Sequence, residues 1–324
     1  MPSTVAAAYG DTMGGIAERV GGEAFFEEVW QRRWSYFNGA FSAQEVTDLL
    51  PLDALDRLVL SGGLGSPNLQ LLANGRAVDV PQTASVAPAT DTGYLFEAFR
   101  SGSGFRIQHL ENYLPEIGAY CRRIEAEFGF PVRANAYVSP SNSSGLAPHY
   151  DSSEVFVVQV VGEKRWRIFE DYTNRLPLPL YEARFNPARQ RPVSDPVEVD
   201  LKSGDILYLP RGTMHSAATW KECVSIHVTF AVLGITWIDM LGNVLRRASQ
   251  EHEELRRLVP LGAADGLSDE EIADRAAELL GNTAIRHWIV PFVNELRAQY
   301  AAHKPEPRYG ALAELWRGGS REEG

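Results

Sequence analysis

Between Val132 and about Phe230 the chain is written in short apolar runs: RANAYVSP, SEVFVVQVV, KRWRIFE, PVEVDL, DILYLP and VSIHVTFAVL. Each is rich in β-branched and aromatic residues and bounded by Gly, Pro, Asn or Asp, which predicts strands of an antiparallel sandwich or barrel. One long irregular connection, RLPLPLYEARFNPARQRPVSD, interrupts them. Ahead of this region the period lengthens. FFEEVWQRRW and SAQEVTDLLPLDALDRLVL carry apolar residues at helical spacing, and NLQLLANGRAV reads as two strands about an Asn74-Gly75 turn. LENYLPEIGAYCRRIEAEFGF reads as a helix leading into the core. Beyond Trp237 the pattern is helical again: LGNVLRRASQEHEELRRLV, a helix opened by a Ser268 to Glu271 capping box and closed at Gly281, and a last helix near 284–301. The expected fold is α+β. Residues 1–22 are expected to be a flexible N-terminus, 23–235 to hold the β-rich domain with mixed elements ahead of it, 236–303 to be helical, and 304–324 to be a polar tail.

At 324 residues the chain buries its core without covalent staples. Cys121 and Cys223 form no Cys-x-x-Cys pattern, which suits a reducing compartment and excludes a cysteine zinc site. A cytoplasmic protein is the expectation, since no basic start with an apolar run and no long uncharged stretch is present. The net charge of -11 repels phosphate backbones, so nucleic acid is not an expected partner.

The chemistry lies in histidines paired with acids. Two imidazoles and one carboxylate on one face of a ferrous ion leave positions open for other ligands, and residues two apart on an extended segment point the same way. His-x-acid alone says little, because 7 His among 42 Asp plus Glu produce about one match by chance. Three occur. His252 and Glu254 fall in a helical stretch, where residues two apart diverge, and His109 with Glu111 fits a capping or surface role. His149 and Asp151 follow Gly145-Leu-Ala-Pro148 between two strands, a rim position. His215, after GDILYLPRGTM, is a candidate third ligand; a packed core histidine is the alternative.

The stretch NAYVSPSNSSGLAPHYDSSEVFVVQVVGEKRWRIF, with LKSGDILYLPRGTMHSAAT and SIHVTF, resembles the ribosomal-protein oxygenases, a branch of the JmjC-type oxygenases with a cupin-like core. The resemblance implies a double-stranded β-helix (jelly-roll) as the catalytic domain, iron held by His149, Asp151 and His215, and Fe(II), 2-oxoglutarate and O2 as cofactors. It implies a hydroxylase of a peptide or protein side chain, with succinate and CO2 as co-products; a free amino acid or small metabolite as substrate, and a non-catalytic cupin-like metal-binding protein, stay open. Gly162-Glu163 reads as a type II′ hairpin turn, placing Lys164 at the bottom of the barrel, where the resemblance makes it the partner of the 2-oxoglutarate distal carboxylate. Asn135 and Tyr137, at the deep end of their strand, are implied to bind the same molecule, and Ser225 and His227 are candidates to line the same bore. Trp166 and Phe156 read as core, and Arg211 is assigned no role. The helices after Trp237 resemble the family's dimerisation region, so a homodimer is expected, while too few residues follow for the family's full winged helix.

Overall fold

The computed structural model describes residues 13–82, 90–170, 195–220, 223–257, 259, 268–281 and 283–302. The expected irregular connection at 171–194 and the polar tail lie outside them. Two compact units divide after Gly234.

In the first unit the described residues form two sheets. The larger runs β1 (Ser35–Phe37), β9 (Ile206–Leu209), β6 (Glu154–Val161), β11 (Ser225–Val232), β5 (Val132–Ser139), β4 (Gly104–Ile107), β2 (Leu69–Ala73) and β3 (Arg76–Asp79). The smaller runs β10 (Met214–Ala218), β7 (Glu163–Phe169) and β8 (Val197–Lys202). Bridges from Ser144 to Ala218 and from His149 to His215 lay the segment 144–149 along the free side of β10. From β5 onward the chain passes back and forth between the sheets, with β7 and β8 paired in the smaller one, as a jelly roll, that is, a double-stranded β-helix.

β6 shows why its sequence lacks a polar face. Phe156, Val158 and Val160 pack into the core shared with the helices, while Val155 and Val157 face Trp166, Ile168, Leu201, Leu207 and Leu209 in the second cluster. Both faces are buried, so alternation disappears. Phe156 and Trp166 are core residues as expected.

Five features differ from the sequence expectation. Met13 and Ile16 are buried and Glu127 accepts the backbone N–H groups of Ile16 and Ala17, so the expected flexible N-terminus is packed from Met13 onward. α1 (Ile16–Arg19) and α2 (Glu23–Glu28) are short, and the SAQEV helix is two, α3 (Ala43–Leu49) and α4 (Leu52–Leu60), parted by Pro51. After α5 (Thr92–Arg100), α6 runs Pro115–Phe128 instead of from Leu110, because Pro115 takes the first turn, where its missing N–H costs nothing. Strands β1, β4 and β10 were not singled out. Finally, Gly162 does not turn a hairpin: β6 and β7 enter different sheets. Its φ of +65° is the expected sign, and a Cβ there would stand 2.2 Å from the Val224 carbonyl oxygen, so the residue is a corner that only glycine fits. The Asn74-Gly75 turn is as expected, with φ of 52° and 74° joining β2 to β3.

The second unit holds α7 (Trp237–Glu251), α8 (Asp269–Gly281) and α9 (Thr283–Ala302). Thr236 with Asp239 and Ser268 with Glu271 form capping boxes. Val244 and Phe292 are its buried centre, braced by an Arg247 to Glu295 ion pair. Trp237, Ile238 and Leu241 of α7 are 77%, 55% and 44% exposed. Among the described residues no helix is long and apolar enough to cross a membrane.

Candidate active site

β9 ends at Leu209, and the Pro210-Arg211-Gly212 turn sends the chain into β10 in the opposite sheet. Gly212 N–H donates to the Asp151 carbonyl at 2.8 Å. His149 and His215 then exchange both backbone bonds, at 3.0 and 2.7 Å, which brings residues distant in sequence side by side. Their ring centroids lie 4.5 Å apart, and Asp151 Oδ2 lies 3.8 Å from His215 Nε2. Candidate ligand atoms of all three fall within 4.8 Å of one another.

The tautomers follow from the backbone. His149 Nδ1 is 2.8 Å from the Ala147 carbonyl and His215 Nδ1 is 2.9 Å from the Thr213 carbonyl. A carbonyl only accepts, so each Nδ1 carries a proton, and Nε2 is the ring atom that each histidine can offer to a metal. Burial, and then the neighbouring His149, hold the His215 pKa below its usual value, so its imidazole is neutral. Two imidazole Nε2 atoms and a carboxylate fit Fe(II) by the chemistry of the donor set.

A cavity of about 130 Å³ adjoins these groups, lined by Asn135, Tyr137, Lys164, Trp166, His227 and Thr229 together with the triad. Lys164 is 2% exposed and donates to Ser139 Oγ at 2.8 Å. Among the described residues no carboxylate pairs with it, and burial pulls its pKa down to about 7. A buried ammonium in that setting is completed by an anion. His227 stacks on Tyr137 at 4.7 Å and 3°, and its pKa is well below the usual value through burial and the nearby Lys164. Asn135 Oδ1 accepts the His109 N–H at 3.2 Å. Asn135 stands opposite Thr229 in mid-strand rather than at the deep end, with Tyr137 below it and Ser139 at the bottom.

Ser225 does not line the cavity: at the far end of β11 its hydroxyl accepts from Gln159 at 2.8 Å. Thr229 takes the place expected of it. Ser139 and Thr229 were missed, although each shares parity with a chosen residue, Ser139 with Tyr137 and Thr229 with His227. Trp166, read as core only, also faces the cavity. Arg211 braces the turn, its Nε 3.8 Å from Glu154, which also accepts from the Tyr208 hydroxyl at 2.6 Å. The rejected pairs are structural: His109 and Glu111 lie 3.5 Å apart beside β5, and Glu254 pairs with Arg257 and Arg275.

Residues 109–237 match the JmjC domain family. In sequence the chain is 30% identical over 289 residues to the bifunctional lysine-specific demethylase and histidyl-hydroxylase NO66 of Drosophila mojavensis, covering 83% of this chain and 31% of that protein. It is 35% identical over 174 residues to the NO66 of Aedes aegypti, covering 52% and 27%. The chain thus spans about a third of the length of such relatives. In fold it is similar to the crystal structure of Escherichia coli YcfD, with TM-score 0.57, 17% identity, and 91% of this chain and 77% of that chain covered. The structure of YcfD, a ribosomal oxygenase, in complex with cobalt and 2-oxoglutarate gives 0.51, 17%, 91% and 76%. The matched JmjC domain, residues 109–237, contains both bridged histidines, Asp151 and the buried Lys164, and the chain around it is similar in sequence to NO66.

Proposed function

We propose that this chain is an Fe(II)- and 2-oxoglutarate-dependent oxygenase that hydroxylates a side chain of a peptide or protein. The observation that carries the reading is the convergence of His149, Asp151 and His215 on a cavity that also holds the buried Lys164, with which no carboxylate pairs among the described residues. The relatives support it: the NO66 proteins are named histidyl-hydroxylases and demethylases, and YcfD is a ribosomal oxygenase that takes cobalt with 2-oxoglutarate. When bound, Fe(II) with 2-oxoglutarate and O2 supplies the oxidation, releasing succinate and CO2 and placing one oxygen atom on a substrate C–H.

The residues of this chain do the rest. His149 and His215 present Nε2 from fixed tautomers, Asp151 supplies the anionic ligand, and Lys164, with Ser139 behind it, holds the distal carboxylate of 2-oxoglutarate. Asn135, Tyr137 and His227 shape the wall beside that molecule, and the apolar Val155, Val157 and Leu209 keep water from the reacting centre. A homodimer is part of the proposal, supported by the exposed Trp237, Ile238 and Leu241 on one helix.

The test is succinate formation with Fe(II), 2-oxoglutarate and O2, together with mass spectrometry of cell-extract peptides for the gain of one oxygen. His149→Ala and His215→Ala are each expected to abolish turnover and metal retention. Product on free metabolites alone would reassign the substrate, and no peptide- or metabolite-dependent succinate would defeat the oxygenase reading.

A further inference from the structure

We propose that the β2–β3 hairpin is a positioning element for the first iron ligand, with Gly75 setting Ala147 and Ala147 setting His149. The inference rests on the reading of His149 as a ligand. Gly75 lies outside the jelly roll itself.

Two hydrogen bonds and a proline make the relay. The Ala147 N–H donates to the Gly75 carbonyl at 3.0 Å. The Ala147 carbonyl accepts from His149 Nδ1 at 2.8 Å, the bond that fixes the plane of the ring and turns Nε2 toward Asp151 and His215. Between them Pro148 locks its own φ and holds Ala147 extended, so a displacement of the Ala147 peptide is passed on instead of being absorbed by backbone rotation.

Gly75 is needed at the tip for two reasons. Its φ is +74°, which L side chains rarely adopt. A Cβ there would also stand 3.2 Å from Ala147 Cβ and 3.3 Å from Ala147 N, tighter than ordinary contact, so a side chain would press on the amide that anchors the relay. Leu72 of the same hairpin lines the cavity, which keeps the element against the site. His215 has no such dependence: its Nδ1 partner, the Thr213 carbonyl, belongs to its own turn. Disturbing the hairpin tip therefore disturbs one histidine and spares the other.

The experiment is Co(II) titration of the full chain, followed by calorimetry and by the visible absorption of the bound ion, with thermal melts alongside. Gly75→Ala is expected to weaken Co(II) binding about 10-fold, as loss of a ligand-orienting contact does, and to alter the absorption bands while the melt stays cooperative. Gly75→Ala combined with Ala147→Gly removes the methyl that the new Cβ meets, and is expected to recover most of the affinity and the wild-type bands. Should the alanine variant fail to fold, Gly75→Asn, which tolerates positive φ, keeps the steric push and reads the same link. Wild-type affinity and bands in the folded single variant, or no recovery in the folded double variant, overturn the relay and leave the oxygenase reading standing. A wild-type protein that takes no Co(II) at His149 overturns both.

Discussion

Lys164 is placed against its own interest. A buried ammonium whose partner among the described residues is one hydroxyl is costly to the folded chain, and binding an anion is what recovers that cost. Lys164→Met is therefore expected to raise the melting temperature of the cosubstrate-free protein by several degrees and to weaken 2-oxoglutarate binding by more than about 10-fold, on the order of one lost buried charge contact; calorimetry and thermal melts check both. The same burial sets a pH dependence. With its pKa at about 7 when folded and 10.5 when open, the lysine binds fewer protons in the folded chain between those values. Stability of the wild type thus increases from about pH 7 toward 10, and denaturant melts of Lys164→Met lose that slope. At this scale the sequence is informative where spacing carries geometry. His149 and Asp151 are two apart on an extended segment, and Asn135, Tyr137 and His227 share the inward parity of their strands. Ser139 and Ser225 obey the same parity and pair across β5 and β11, yet one touches Lys164 and the other Gln159, a difference that no local pattern carries.

Gly162 shows what an element boundary can hide. Local turn chemistry anticipates its positive φ, but not that the next strand leaves for the other sheet, because that choice is made by Trp166 and Ile168 burying themselves between the layers. Gly162→Ala is expected to cost roughly 2 kcal/mol or more, from the strained φ and from contact with the Val224 carbonyl; urea melts measure it. Helix starts were legible where a side chain caps them, as at Ser268, and were misplaced where a proline does the work, as at Pro51 and Pro115. The three-residue β1 and four-residue β4 fall below the length at which alternation can be recognised, and their partners β9 and β5 define them.

At the scale of the whole molecule, two units carry different duties. The jelly-roll core was visible as a change of texture in the sequence, whereas which strands pair across it was not, since pairing joins residues far apart in the chain. In the helical unit, Trp237→Glu with Leu241→Glu is expected to convert a dimer to a monomer by size-exclusion light scattering, with the fold of each unit kept, because both side chains are exposed and outside the Val244 and Phe292 centre. The outer strands of the sheets bear on the same question. The larger sheet ends in β1 and β3, three and four residues long, and β3 carries Arg76 and Asp79; in the smaller sheet β8 turns Glu198 and Asp200 toward Arg165 and Arg167. Margins that are short or charged offer a poor template to a neighbouring chain. The β-rich half is thereby guarded against edge-to-edge aggregation, and the proposed dimer is assigned to the helices.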